Sequence, residues 1–376
     1  MIVPALFYFV DMPVTPIPNA TIDPRQRPQG RGAVSNGAGR YETLERHYEA
    51  DGWDHPEETR VQRTHITTER PRSIISYNRS PDLSFDRSIN PYRGCEHGCI
   101  YCFARPSHAW LGLSAGLDFE TRLVARPEAA KVLEVELRKP SYRAETIAIG
   151  TNTDAYQPIE KSQGIMRECL EVLQRFNHPV GIVTKGTLVE RDIDILGDMA
   201  EQGLARVGIS LTTLDADLSR RMEPRAPSPK RRLQTIERLS AAGIPVRVLT
   251  SPIIPGLTDS EMEAMLTSAR DAGAKAASWV MLRLPLEVSG LFQEWLSTHY
   301  PDRATCVMGL LRDMHGGKEY SSDWHRRMRG EGHYAQLIAA RYKRAIRDLG
   351  LAPNLPDLRT DLFCVPPQTG DQLSLF

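Results

Sequence analysis

The chain has 376 residues, 41% hydrophobic and 25% charged, with 47 basic and 47 acidic side chains and a pI near 7.2. Such a composition belongs to a globular protein with ample material for a core, and the balanced charge excludes a global field that draws the chain to nucleic acid. Six cysteines, at 95, 99, 102, 169, 306 and 364, are too few and too scattered for a disulfide framework, which points to a reducing, cytoplasmic setting.

The opening Met1 to Val10 is apolar, but it lacks a basic leader region, meets Asp11 at once and is too short to span a bilayer. Met12 is the expected true start. Residues 1–70 are expected to form an irregular, partly disordered arm, rich in Pro, Gly, Arg and Asn from Met12 onward, with a helix from Tyr41 to Glu49. Its arginines suit either a phosphate-binding arm or a solvated tail.

From Ser84 onward short apolar runs alternate with amphipathic ones. Strands are expected at Ser84 to Asn90, Thr146 to Gly150, Val180 to Thr184, Val207 to Leu211, Val246 to Ser251 and Ser278 to Leu282. Helices are expected at Pro127 to Lys139, Gly164 to Phe176, Asp192 to Gln202, Pro229 to Ala242 and Asp259 to Asp271. Ser228 before Pro229 reads as an N-cap, Thr258 with Glu261 as a capping box, and Gly203, Gly243 and Gly273 as helix stops. Six strands alternating with helices require parallel pairing with right-handed crossovers, in an incomplete barrel or a flat doubly wound sheet, with ligands at the carboxyl ends of the strands.

Just after the first of these strands stands Cys95-Glu96-His97-Gly98-Cys99-Ile100-Tyr101-Cys102, three thiols within eight residues. Thiolates on one short loop converge on a soft metal or cluster, and Gly94 and Gly98 let the backbone turn around it. A structural zinc site would need a fourth ligand nearby, whereas a three-thiolate iron-sulfur cluster leaves one iron open. His97, pinned inside the loop, is poorly placed as a fourth ligand. Of the remaining cysteines, Cys169 reads as core; Cys306 and Cys364 read as buried thiols, with a hydrogen-donor role as the sharper alternative.

The spacing C-x3-C-x2-C, with Tyr101 before the last cysteine, resembles that of the radical S-adenosylmethionine (radical SAM) enzymes. The resemblance implies a partial (β/α)6 TIM-type barrel in the α/β class, here residues 71–290, followed by a helical extension over 291–365 and a flexible tail over 366–376. It further implies that Cys95, Cys99 and Cys102 hold a [4Fe-4S] cluster whose open iron binds S-adenosylmethionine. Reductive cleavage then gives a 5'-deoxyadenosyl radical, with reduced flavodoxin or ferredoxin as electron donor. Residues at successive strand ends suit the adenosyl sulfonium: Lys185 and Arg225 for its carboxylate, Asn152, Asp154, Ser210 and Ser251 for amine and ribose, with Tyr101 beside them.

Over about residues 85 to 285 the layout is similar to spore photoproduct lyase and the DNA repair photolyase-like group. Lys185, Ser210 and Ser251 match lyase positions that hold S-adenosylmethionine, and Gly150 to Pro158 looks like the mark of an uncharacterised branch. Two residues depart from the lyase: Thr151 stands where it has its hydrogen-donating cysteine, and Phe103 where it has a tyrosine. Neither supplies a weakly held hydrogen, so thymine-dimer reversal by the lyase's route is not expected.

Two basic stretches, Arg220 to Arg232 and Asp323 to Arg347, suit phosphate contacts or solvated helix surface, the latter preferred for Lys230 to Arg232. The terminal Gln372-Leu373-Ser374-Leu375-Phe376 follows Pro366-Pro367 and Gly370 and looks like the bacterial sliding-clamp-binding pentapeptide, with Gln372, Leu373, Leu375 and Phe376 as anchors. The expected protein is a radical SAM enzyme of the lyase or oxidoreductase class acting on DNA. The alternatives are the same chemistry on a protein or small molecule, and a zinc-stabilised nucleic-acid-binding module.

Overall fold

The computed structural model describes residues 30–42 and 63–368. Residues 43–49 of the helix expected from Tyr41 to Glu49, the start at Met12 and the terminal pentapeptide lie outside them.

In chain order the strands are β1 (His65–Thr68), β2 (Ile75–Tyr77), β3 (Arg87–Ile89), β4 (Tyr92–Arg93), β5 (Arg122–Ala125), β6 (Ile147–Ile149), β7 (Val180–Thr184), β8 (Ala205–Ser210), β9 (Val246–Ile253) and β10 (Ala276–Met281). The helices are α1 (Asp118–Thr121), α2 (Ala129–Leu137), α3 (Glu160–Gln163), α4 (Ile165–Arg175), α5 (Ile193–Glu201), α6 (Ala216–Met222), α7 (Pro229–Ala241), α8 (Met262–Asp271), α9 (Glu287–His299), α10 (Pro301–Met314) and α11 (Gly332–Asp348). All six expected strands and all five expected helices are present, most of them shortened at an end.

The large sheet runs β10-β9-β8-β7-β6-β3-β2, with six parallel strands in sequence order and β2 antiparallel at the edge. A doubly wound sheet reverses strand order partway across, so this topology is that of the partial barrel. The strands carry Ile89, Ile149, Ile182, Val207, Val248 and Met281 into one continuous apolar core. A second sheet, β1-β5-β4, flanks the loop after β3. Sequence periodicity missed it because its strands are short and β1 is exposed along its whole length.

Ser228 caps α7 by accepting from the Arg231 N–H, and Gly203, Gly243 and Gly273 take φ of 72°, 77° and 103° at their helix ends. The Thr258–Glu261 capping box does not form. The Thr258 hydroxyl accepts from Ile254 N–H instead, and Glu261 reaches across to the Thr213 hydroxyl and Leu214 N–H, tying the loop after β8 to the start of α8.

Beyond α11 the chain passes under the barrel along the strand starts. Ala352 pairs with Ala276, Asn354 bonds Arg247, Pro356 bonds Arg206, Arg359 N–H donates to Gly203, and Phe363 packs on Phe176 and His178. Cys364 therefore lies at the end of the barrel away from the strand ends and the cysteine loop. Cys169 is buried as expected, but Cys306 and Cys364 are exposed, because α10 and the returning strap turn those positions outward.

His178 sits in this floor, fully buried, between the Tyr142 hydroxyl at 2.7 Å and the Pro179 carbonyl at 3.0 Å. Burial depresses its pKa to about 4. The unfolded chain takes up this proton near pH 6.5, so stability from neutral His178 is present above that pH and is lost as pH falls toward 4. Chemical denaturation should show wild type losing about 2 kcal/mol more than His178→Gln between pH 7 and 5; equal losses would dismiss the assignment.

Candidate cofactor site at the strand ends

The cysteine loop follows β3 and β4 and is fixed by buried polar groups. Arg105, 0% exposed, spends its guanidinium on the carbonyls of Cys99 (2.9 Å), Gly98 (3.1 Å), Ala115 (3.1 Å) and Gly116 (2.9 Å) and on Glu120 (2.5 Å). Glu120 in turn accepts from Gly32 and Ala33 N–H, so the described part of the N-terminal arm is bound against the loop. Gln157 takes the Glu96 N–H at 2.8 Å and donates to the Gly94 carbonyl. Gly94 and Gly98 adopt φ of 75° and 66°, and a Cβ on Gly98 would stand 2.6 Å from Glu120 Oε2. Both glycines are required by backbone geometry and close approach.

Cys95 and Cys99 are buried and Cys102 is half-buried; Cys95 and Cys102 pack together with Ala104 and Phe119. Burial pushes the Cys95 thiol far up and the Cys99 thiol to about 12. Thiolates form here only with a strong cationic partner, and binding one releases protons. Among the described residues no three His, Cys, Asp or Glu side chains close on a single-ion site.

The expected strand-end residues gather on the same side. Lys185, after β7, places Nζ 5.7 Å from the Tyr101 ring centre, and no ion pair is seen for it among the described residues. The Ser251 hydroxyl, on β9, is buried and has no hydrogen-bond partner among the described residues. Ser210 is buried at the end of β8, and Arg225 meets Glu96 at 3.2 Å. Asn152 is half-buried, its N–H donating to Asn90. Asp154 accepts from the Thr184 hydroxyl (2.6 Å) and Lys185 N–H (2.8 Å), and faces His97 Nδ1 at 3.3 Å. Burial raises its pKa, but the His97, Lys185 and Thr184 contacts outweigh that and hold the carboxyl below its usual range. Its oxygens thus brace the loop against β7. His97, which faces Asp154, stays out of the thiol set.

Sequence reading missed Glu223, Arg105, Glu120 and Gln157. Fully buried Glu223 joins the Tyr101 and Thr212 hydroxyls to Arg232. Arg232 is accordingly core, a correction to its reading as helix surface; Lys230 is exposed and Arg231 pairs with Glu190. Isolated charges of this kind leave no periodic signal, since their partners are distant in sequence. The second basic stripe is largely neutralised in place: Arg326 by Glu331, Arg327 by Asp82, Arg341 by Glu263, and Arg344 and Arg347 by Asp348, while Arg329 lies over Trp279.

Three soft thiols, with a lysine and a buried hydroxyl that lack partners among the described residues, at the carboxyl ends of parallel strands fit an iron-sulfur cluster carrying an amino-acid ligand. The family model for the radical SAM superfamily matches residues 89–269. An uncharacterised protein of Mycobacterium tuberculosis is 39% identical over 232 residues, 61% of this chain and 68% of the relative. One from Methanocaldococcus jannaschii is 29% identical over 173 residues, 46% of this chain and 62% of the relative. Among solved structures, spore photoproduct lyase complexed with dinucleoside spore photoproduct gives a TM-score of 0.53 at 13% identity, covering 76% of this chain and 81% of the other. A lyase mutant with bound AdoMet and the same dinucleoside gives 0.51 at 13% identity, with the same coverage. That likeness is one of fold. No helix among the described residues is long and apolar enough to cross a membrane. The chain belongs to the radical SAM superfamily, whose enzymes use a [4Fe-4S] cluster and S-adenosylmethionine.

Proposed function

We propose that the chain is a radical SAM enzyme acting on nucleic acid, with Cys95, Cys99 and Cys102 holding the cluster. The observation that carries the cofactor assignment is the set of three braced thiols at the strand ends together with Lys185 and Ser251, neither partnered among the described residues. When bound, cluster and S-adenosylmethionine supply the electron and the 5'-deoxyadenosyl group that removes a hydrogen atom from substrate. Lys185 and Arg225 pair the carboxylate of the amino-acid end; Ser251, Ser210 and Asn152 bond amine and ribose; Tyr101 lines the site; and Asp154 holds His97 and β7 in register. The Glu223–Arg232 pair anchors Tyr101 from behind.

The nucleic-acid assignment is supported by the shared fold with a lyase that binds a dinucleoside photoproduct. It is also supported by the terminal Gln372-Leu373-Ser374-Leu375-Phe376, which would dock on a sliding clamp. Pro366, held by Arg138 at the floor of the barrel, starts that tail on the end opposite the cysteine loop, so clamp and substrate need not compete. A reduced flavodoxin or ferredoxin is the expected electron donor. Reconstituted anaerobically and reduced, the full chain should release 5'-deoxyadenosine faster with ultraviolet-damaged or modified DNA than with peptide, and a nucleoside digest should show an altered base. Turnover indifferent to every nucleic acid would move the substrate to a protein or small molecule. Stoichiometric zinc without turnover would leave a binding module.

A further inference from the structure

Arg283 follows the end of β10, and Phe103 follows Cys102 at the edge of the cysteine loop, so two distant stretches meet at one rim of the strand-end site. The Arg283 guanidinium lies 4.8 Å from the Phe103 ring centre. Phe103 nevertheless remains 46% exposed at that rim.

Arg283 is also weakly engaged. Its Nη1 meets the Met328 sulfur at 3.6 Å, its Nη2 meets the Tyr320 hydroxyl at 3.5 Å, and its buried Nε has no partner among the described residues. Among the described residues it has no carboxylate partner, whereas Arg326, Arg327 and Arg341 each pair with one. An arginine without a counterion, beside an open aromatic ring, presents a planar apolar face and a fork of donors side by side.

We infer that Phe103 and Arg283 form a substrate-binding subsite for one unstacked nucleobase and its adjoining phosphodiester. The base stacks on the open part of Phe103, the phosphate accepts from Arg283 and the Tyr320 hydroxyl, and the contact brings that nucleotide to the rim beside the cluster loop. This deepens the nucleic-acid reading above and rests on it. Neither residue moves an electron or a proton in this role.

The test is equilibrium binding of a fluorescein-labelled 12-nucleotide single strand, in deoxy and ribo forms, to the full reconstituted chain across a salt series. Phe103→Ala should bind about tenfold more weakly with the salt slope unchanged, while Phe103→Tyr stays near wild type. Arg283→Gln should weaken binding and lower the slope of log affinity against log salt by about 0.7, with Arg283→Lys retaining the slope. Iron content and melting temperature check each variant, and Phe103→Leu, which keeps apolar bulk but removes the ring, substitutes for an unstable alanine. Either sugar form showing these effects supports the subsite, and the tighter one names the source. Wild-type binding matched by all variants in affinity and slope would overturn the subsite alone. If wild type binds neither strand, subsite and nucleic-acid reading fall together.

Discussion

Cys99→Ala, reconstituted with iron and sulfide under anaerobic conditions, is expected to form 5'-deoxyadenosine more than about a hundredfold more slowly than wild type, a barrier increase of roughly 3 kcal/mol or more. Cys95→Ala and Cys102→Ala should behave alike. Removing one of the three thiols would leave the cluster two protein ligands, and assembly itself should fail. Iron and sulfide analysis of the same samples separates this from a purely kinetic defect. Cys169→Ala is the comparison: its thiol is buried on α4 and outside the loop, so its iron content should match wild type. Full turnover by Cys99→Ala would remove the loop from the chemistry.

The second large effect is expected at Arg105. Its side chain is wholly buried, and every donor of the guanidinium is directed at the cysteine loop, the 115–116 turn or Glu120. Arg105→Ala strands the Glu120 carboxylate in the interior together with several carbonyls, and breaking a buried pair of this kind costs about 3–5 kcal/mol. Arg105→Lys should be almost as damaging, because one ammonium cannot span five acceptors set in a plane. Cluster retention should fall along with stability, since Cys99 and Gly98 lose the bonds that fix their peptide groups. Arg105→Met with Glu120→Leu should recover part of the melting temperature but not the iron, for the carbonyls stay unsatisfied. A single alanine variant that melts like wild type and holds full iron would show that the loop is fixed by other contacts.

Asp154 and Thr258 show how far residue identity carries. Asp154, expected at the cofactor, has its oxygens engaged by the Thr184 hydroxyl, Lys185 N–H and His97, contacts that brace the site. Thr258 and Glu261 have the spacing of a capping box, but each finds a tertiary partner, Ile254 N–H for one and the Thr213–Leu214 turn for the other. In both cases a local rule was displaced by a contact with another segment.

The sequence by itself determined the βα alternation, the placement of the helix stops and the cysteine loop after the first parallel strand. These features depend on periodicity, backbone conformation and ligand spacing, all of which act over a few residues. The choice between barrel and doubly wound sheet was decided by strand order alone, which no local pattern encodes. Tertiary structure likewise decided the β1-β5-β4 sheet, the strap that lays Phe363 beneath His178, and the burial of Arg105, Glu120, Glu223 and Arg232. Each buried charge is tolerated only because a partner distant in sequence neutralises it, and that pairing exists only once the chain has closed around its core.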